Sequence, residues 1–501
     1  MSRFRGPWAG SWGATATMVV FALVPYLALT AAMTPLEPVL EKSLHLSAQT
    51  LQLTSGMANA GYAVGTVLAV QFAQHLRQRR MLMLYVTLFL VASIVTALAP
   101  VPGLFIAGHV VQGLCTSLML IAAVPPLVIG FPAARMRWTA AIMNLCIFGA
   151  VAAGPSIGGL QASAMQWRPL FWIVTGCAGL AWLFALLTYE DVEPQDRSAP
   201  WDWPAILLAG IGCAAAFFGA SELQTHPVLS LITFLPLVGG VSLVIVLVAY
   251  EYLIKRPLMP VKQLATTKPV AGIIIALAAG AASVGAIDLI LTATATKVSP
   301  GHTAVLFLPQ LGGAVLTAVI FALVFRTRWM VTLPFTGSVA LAGGIAVAVG
   351  VAQGPNVLVL VGSGLIGVGV GSAVSPALFV AGFSLVNAQI QRVFALIELL
   401  RAVAAFMVAP VLLHLAMTVD GGPARSGLAT GLWICLGIAA FGFVAALYLF
   451  ILGRARLEAP DIDRWQQGEE AAWDTPALAA GIRHRASVRP MPGWSGAPAE
   501  R

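Results

Sequence analysis

The chain has 501 residues, 59% of them apolar and only 9% charged, and its 27 Lys and Arg exceed its 19 Asp and Glu for a net charge of +8. A soluble domain carries about a quarter charged residues, so a soluble globular protein is excluded. At about 20 residues per crossing, the apolar content supplies material for about fourteen membrane helices.

In chain order, apolar segments bounded by charges, Pro or Gly fall at 14–34, 52–73, 81–99, 103–127, 138–160, 169–189, 203–221, 228–250, 270–295, 303–325, 329–351, 356–383, 393–418 and 428–452. Runs this long exclude a membrane barrel, whose strands alternate in short segments. Arg3 and Arg5 before the first run fit a signal peptide, but the succession of spans behind it favours an uncleaved first helix. Fourteen crossings put both termini on one side. The loops that this count places in the cytoplasm hold seventeen Lys and Arg, against four outside. That asymmetry follows the positive-inside rule. A multi-pass protein of the cell (inner) membrane with both termini cytoplasmic is therefore expected, and the scattered basic residues act in topology, with no nucleic-acid partner.

Loops between segments are short, and no stretch before residue 453 is long enough to fold alone. Whatever the protein does, it does between helices, and no enzyme activity is expected. Residues 453–501 hold seven Arg and seven Asp or Glu, a near-neutral mixture expected to form a disordered cytoplasmic tail. Cys115, Cys146, Cys177, Cys213 and Cys435 all lie in apolar stretches without C-x-x-C spacing, so neither a disulfide framework nor a metal site is expected.

The most specific signal is in the fifth segment: Gly149-Ala150-Val151-Ala152-Ala153-Gly154-Pro155-Ser156-Ile157-Gly158-Gly159. Small residues let helix backbones approach closely, and Pro155 removes a backbone donor. This stretch resembles the G-x-x-x-G-P-x-x-G-G motif of antiporters in the major facilitator superfamily. Gly154, Pro155, Gly158 and Gly159 match it, and Ala150 stands for the first Gly. Phe131-Pro132-Ala133-Ala134-Arg135, Lys255-Arg256-Pro257-Leu258 and Leu308-Pro309 are similar to segments of the same superfamily. With fourteen spans, the resemblance points to its drug:proton antiporter branch.

That resemblance implies an all-α fold of two six-helix bundles plus two inserted linker helices. It divides the chain into a cytoplasmic segment 1–13, a first bundle 14–189, a linker 190–252, a second bundle 253–452 and the tail 453–501. It further implies alternating access around a midplane site, a small-molecule substrate, proton exchange and a monomer.

Departures from the pattern are equally specific. The loop motif G-x-L-A-D-R-x-G-R-R reads here Gln71 to Arg80, keeping Arg79 and Arg80 but placing His75 at the Asp position. The first-span Asp-x-Thr positions hold Leu29 and Ala31, and R-x-x-Q-G of the fourth span has become His109-Val110-Val111-Gln112-Gly113. A transporter that exchanges protons needs groups that change protonation. Ionisable residues inside spans cost about 2.5–3.5 kcal/mol at a helix centre and are functional candidates by default.

Candidates for proton coupling or substrate contact are His109, Asp288, Gln112 and Glu222. Each has a plainer alternative: a hydrogen-bonded neutral His, a structural Asp, an interfacial Glu. Glu398 and Arg401, three residues apart on one helical face, form either a local ion pair or a gate, and His75 joins the gate candidates. Glu37, between Pro35 and Pro38, is expected to see water.

Gly362-Ser363-Gly364-Leu365-Ile366-Gly367 spells G-x-G-x-x-G, but inside an apolar span it lacks the strand a dinucleotide site needs. No G-x-x-x-x-G-K-[ST] occurs, so ATP is not expected as energy source, and no cofactor is expected. The expected function is secondary transport, exporting an amphipathic organic compound or drug in exchange for protons. The alternative is an uncoupled carrier or importer of a specific metabolite, with a non-transporting membrane protein behind both.

Overall fold

The computed structural model describes residues 6–189, 193–194, 199–295, 297–352, 356–418, 425–468, 470–478 and 480. Fourteen long helices dominate them: α1 (Trp12–Leu44), α2 (Ala48–His75), α3 (Gln78–Leu98), α4 (Pro102–Ile129), α5 (Ala133–Ser163), α6 (Arg168–Thr188), α7 (Trp203–Glu222), α8 (Leu231–Leu253), α9 (Thr267–Ala295), α10 (Pro300–Val324), α11 (Trp329–Val349), α12 (Val357–Phe383), α13 (Ile390–Thr418) and α14 (Arg425–Leu452). Each overlaps one apolar segment of the sequence. Among the described residues no strand forms, and one isolated bridge joins Thr266 to Ala477.

Thirteen of these helices are long and apolar enough to cross a membrane. The exception is α2, which has 28 residues but carries Gln49, Gln52, Asn59, Gln71 and Gln74. It is packed against α4, α7 and α13, so much of its surface meets protein, where polar side chains in a membrane helix find partners.

Helix ends deviate from the sequence reading most clearly in α1. It continues to Leu44 through Pro25, Pro35 and Pro38, because packed neighbours compensate the groups that Pro leaves unbonded in a membrane helix. His45 then turns the chain at φ 52°, and Ser47 caps α2 by accepting from the Thr50 N–H at 3.1 Å. The extra turns carry Glu37 into the helix, three and seven residues beyond Thr34 and Thr30, on one face.

Helix pairing is repeated along the chain. In α1–α6, α1 packs on α4, α5 and α6, α2 on α4, and α3 on α4 and α6. Adding eight to each label gives pairs present in α9–α14: α9 on α12, α13 and α14, α10 on α12, and α11 on α12 and α14. The two sets meet through α2 with α13 and α5 with α10, and α7 and α8 pack on each other with α7 also against α2. The glycines of Gly362-Ser363-Gly364-Leu365-Ile366-Gly367 serve this packing: a Cβ on Gly364 would lie 3.2 Å from Pro309, and one on Gly367 would meet the Gln310 backbone.

Residues after α14 correct the expectation of a disordered tail. Ile462–Gln467 is a short helix, and Ile462, Trp465, Ala472 and Trp473 are buried against the helix ends. Apolar burial of two indoles outweighs the polar composition that argued for disorder. The part of the expected tail beyond residue 480 lies outside the described residues.

Candidate functional site

The fifth-segment motif builds the wall between the two sets. In α5, a π-helical turn at Leu145–Gly149 precedes the motif. A Cβ on Gly154 would collide with Ala31 and the Ala28 carbonyl, and one on Gly158 with the Ala32 backbone, so α5 and α1 approach as only Gly allows. The opposite face meets α10, where Ser156 donates to the Ala304 carbonyl at 2.8 Å and a Gly159 Cβ would lie 2.7 Å from the Pro300 carbonyl oxygen. Pro155 is accommodated inside a continuous helix.

Between the sets lies a cavity of about 160 Å³. The first set contributes Thr34 and Glu37 of α1 and Asn59 of α2; the second contributes Ser283 and Asp288 of α9 and Gln310 of α10. Phe148, Val151, Ile287 and Phe406 supply the apolar wall. The lining comes from the C-terminal half of α1, the N-terminal half of α2 and the C-terminal halves of α9 and α13, so the cavity sits toward the Leu44 end of the bundle. Among the described residues that line it, none is basic. Neither the Glu37 nor the Asp288 carboxylate has a hydrogen-bond or ion-pair partner among the described residues, and both are half-buried. Unpaired carboxylates in such a place leave room for protons or a cationic guest.

Toward the Trp12 end the cavity borders a buried polar contact. Phe148 lines it, and the Arg401 guanidinium lies 5.8 Å from the Phe148 ring centre. Arg401 Nη2 donates to Glu398 Oε2 at 2.5 Å, and the Tyr62 hydroxyl of α2 donates to the same oxygen at 3.1 Å. Glu398 and Arg401 are buried, so the two residues form the local ion pair, and through Tyr62 it also ties α2 to α13.

A helical repeat of this kind, with a shared central cavity, has known counterparts. The sequence model described as Major Facilitator Superfamily matches residues 17–410. The chain belongs to the major facilitator superfamily. Relatives of the chain within the superfamily include the uncharacterized MFS-type transporter YubD of Bacillus subtilis (strain 168), 26% identical over 314 residues, or 62% of this chain. The drug efflux pump JefA of Mycobacterium tuberculosis (strain CDC 1551 / Oshkosh) is 25% identical over 351 residues, 68% of this chain. The matched region spans 61% of YubD's length and 68% of JefA's. In fold, the chain is similar to the crystal structure of the human organic anion transporter MFSD10 (TETRAN), with a TM-score of 0.61 at 12% identity, covering 87% of this chain and 99% of that one. The chain is a multi-pass membrane protein of that superfamily.

The remaining candidates are placed apart from the cavity. His109 is buried, its ring 5.7 Å from Tyr26, 6.1 Å from Phe105 and 6.5 Å from Phe171 by ring centres. Its Nδ1 lies 3.3 Å from Gln112 Oε1, and Gln112 Nε2 donates to Ser93 Oγ at 3.0 Å. His109 and Asp288 therefore do not share the cavity. At the superfamily's loop motif, His75 stacks on Trp201 at 4.7 Å and sits 2.8 Å from the Ala199 carbonyl, Arg79 donates to the Leu186 carbonyl at 3.2 Å, and Arg80 is exposed. Glu222 accepts from Gln49 at 3.1 Å and pairs with His226 at 3.1 Å, clasping α7 to α2 at the Leu44 end.

Sequence reasoning passed over Glu37, Asn59, Ser283 and Gln310 as cavity residues. A signal was present: Gln52, Ser55 and Asn59 recur at three and four residues, as do Thr30, Thr34 and Glu37, which marks one polar face of an otherwise apolar helix. Tyr62 gave none, since a lone Tyr in a span is ordinary.

Proposed function

We propose that the protein exports an amphipathic organic compound, neutral or cationic, in exchange for protons, as a drug:proton antiporter of the superfamily. One observation carries this reading: a cavity bounded by both helix sets holds Glu37 and Asp288 with no basic residue lining it. A cation and a proton would compete for the same carboxylates, which couples their passage. Apolar walls from Phe148, Ile287 and Phe406 suit a partly apolar guest. The name of JefA as a drug efflux pump supports export. With the positive-inside assignment, the Trp12 end is cytoplasmic, and the cavity then lies toward the outer side. α1–α6 and α9–α14 are the two bodies that rock about it.

The test uses vesicles reconstituted with the protein, an internal pH dye and ethidium as probe cargo. Ethidium is expected to drive a pH change that Asp288→Asn abolishes. Ethidium flux without a pH change, unaltered in both Asp288→Asn and Glu37→Gln, would remove the proposed coupling.

A specific observation favours the second reading, an uncoupled carrier. His109, at the position of the Arg in the fourth-span R-x-x-Q-G pattern, is buried among aromatic rings away from the cavity. On that reading accumulation is the same with and without a pH gradient.

A further inference from the structure

The segment after α14 is held on the Trp12 end of the molecule in an asymmetric way. Arg454 reverses the chain at φ 53°, and Asp461 caps the short helix Ile462–Gln467 by accepting from the Arg464 N–H at 3.1 Å. Trp465 Nε1 then donates to the Leu385 carbonyl at 2.8 Å, and Trp473 Nε1 to Ser384 Oγ at 3.0 Å. The Ala472 N–H donates to the Phe383 carbonyl at 2.8 Å. Lys268, buried in the first turn of α9, lies 3.6 Å from Glu458 and 5.0 Å from the Trp473 ring centre. Asp463 pairs with Arg326 after α10 at 2.8 Å, and the Thr267 N–H donates to the Pro476 carbonyl at 3.0 Å.

All of these anchors belong to the second helix set. Among the described residues, one hydrogen bond leaves it: Gln466 Nε2 donates to the Phe131 carbonyl, between α4 and α5 of the first set, at 2.8 Å. The short helix is thus pinned to the second set through Trp465, and its other contact is with the first set, where it lies against α5 and Gln466 makes the hydrogen bond.

We infer that residues 458–468 and 470–477 form a strap that holds the Trp12 ends of the two sets together and so biases the protein against opening at that end. The inference rests on the reading that the two sets move against each other. Opening there must break the Gln466–Phe131 bond or unseat the strap. The strap's buried indoles and the Lys268 contacts make unseating the costlier route, so the Gln466 contact is the releasable element. A single net hydrogen bond shifts a two-state population by roughly two- to tenfold.

The test measures spin-label distances between Arg137→Cys and Arg328→Cys, one exposed position on each set at this end, in protein whose five native cysteines are replaced and which is held in lipid nanodiscs. Gln466→Ala is expected to raise the long-distance population by roughly two- to tenfold, and Trp465→Ala to raise it further. Arg464→Ala, whose partner Glu470 at 2.6 Å lies within the strap, is expected to leave the distribution unchanged. A distribution in Gln466→Ala indistinguishable from the parent overturns the strap, whether or not Trp465→Ala folds. The readout needs no cargo. Vesicles that transport while distances ignore Gln466→Ala remove the strap alone; vesicles that move nothing while distances respond remove the transport reading and keep the strap.

Discussion

Tyr62 and Glu398 meet across 336 residues of chain, the hydroxyl donating to a carboxylate oxygen that Arg401 also holds. This three-membered contact borders the cavity and joins α2 to α13. Removing the members is expected to have unequal effects. Glu398→Ala leaves a buried guanidinium unpaired and should destabilise the fold by about 3–5 kcal/mol. Tyr62→Phe removes one bond to a charged group, worth about 1.5–3 kcal/mol, and keeps the ring. Thermal unfolding in detergent checks the order, and equal losses from both would contradict a charge-centred contact.

Accessibility separates the cavity from the His109 cluster. In a background lacking Cys177, the native cysteine that is not buried, Thr34→Cys and Asn59→Cys should react with a membrane-impermeant maleimide added at the Leu44 end. Ser93→Cys, beside Gln112, should not. Labelling measured by mass shift is the check, and rapid reaction at residue 93 would mean that water reaches the His109 cluster.

For His109 itself the expected cost is mainly one of packing. His109→Ala empties space between Tyr26, Phe105 and Phe171 and should lower stability by about 2–5 kcal/mol. His109→Gln, which keeps volume and hydrogen bonding, should retain proton-coupled ethidium flux, whereas Asp288→Asn should not. Loss of coupling in His109→Gln at native stability would restore a relay role.

Glycine positions make a matched pair for the close approach of α5 to α1. Gly158→Ala drives a methyl into the Ala32 backbone, and overpacking of this kind costs typically about 1–3 kcal/mol. Gly176→Ala in α6 meets nothing within 4 Å and should be neutral or stabilising by up to about 1 kcal/mol. Melting temperatures of the two variants decide whether the motif acts through backbone contact.

Much of this architecture was readable because hydropathy carries it. The fourteen segments located every long helix, and the Gly154-to-Gly159 stretch marked a close helix approach without telling that its partner is α1. Two kinds of information were hidden. Helix ends at proline depend on neighbours, so Glu37 was left outside a helix that continues past it. Tertiary partners depend on which helix faces which, so the Glu398–Arg401 pair gave no sign of Tyr62. The indoles of Trp465 and Trp473 were likewise outvoted by the surrounding charges, because composition does not tell where an apolar surface waits to receive them.

The motif in α5 and the clasp on α7 together bear on where cargo can pass. One seam between the halves, α5 against α10, is stitched by Ser156 on Ala304 and by the glycine contact at Pro300. Along the other, α7 lies over α2 through Gln49 and Glu222 and reaches α13 where His414 meets the Leu223 carbonyl at 2.6 Å. Both flanks are joined toward the Leu44 end by these contacts. On the proposed transport reading, this arrangement favours an axial port that opens to bulk water over a sideways exit into the acyl chains.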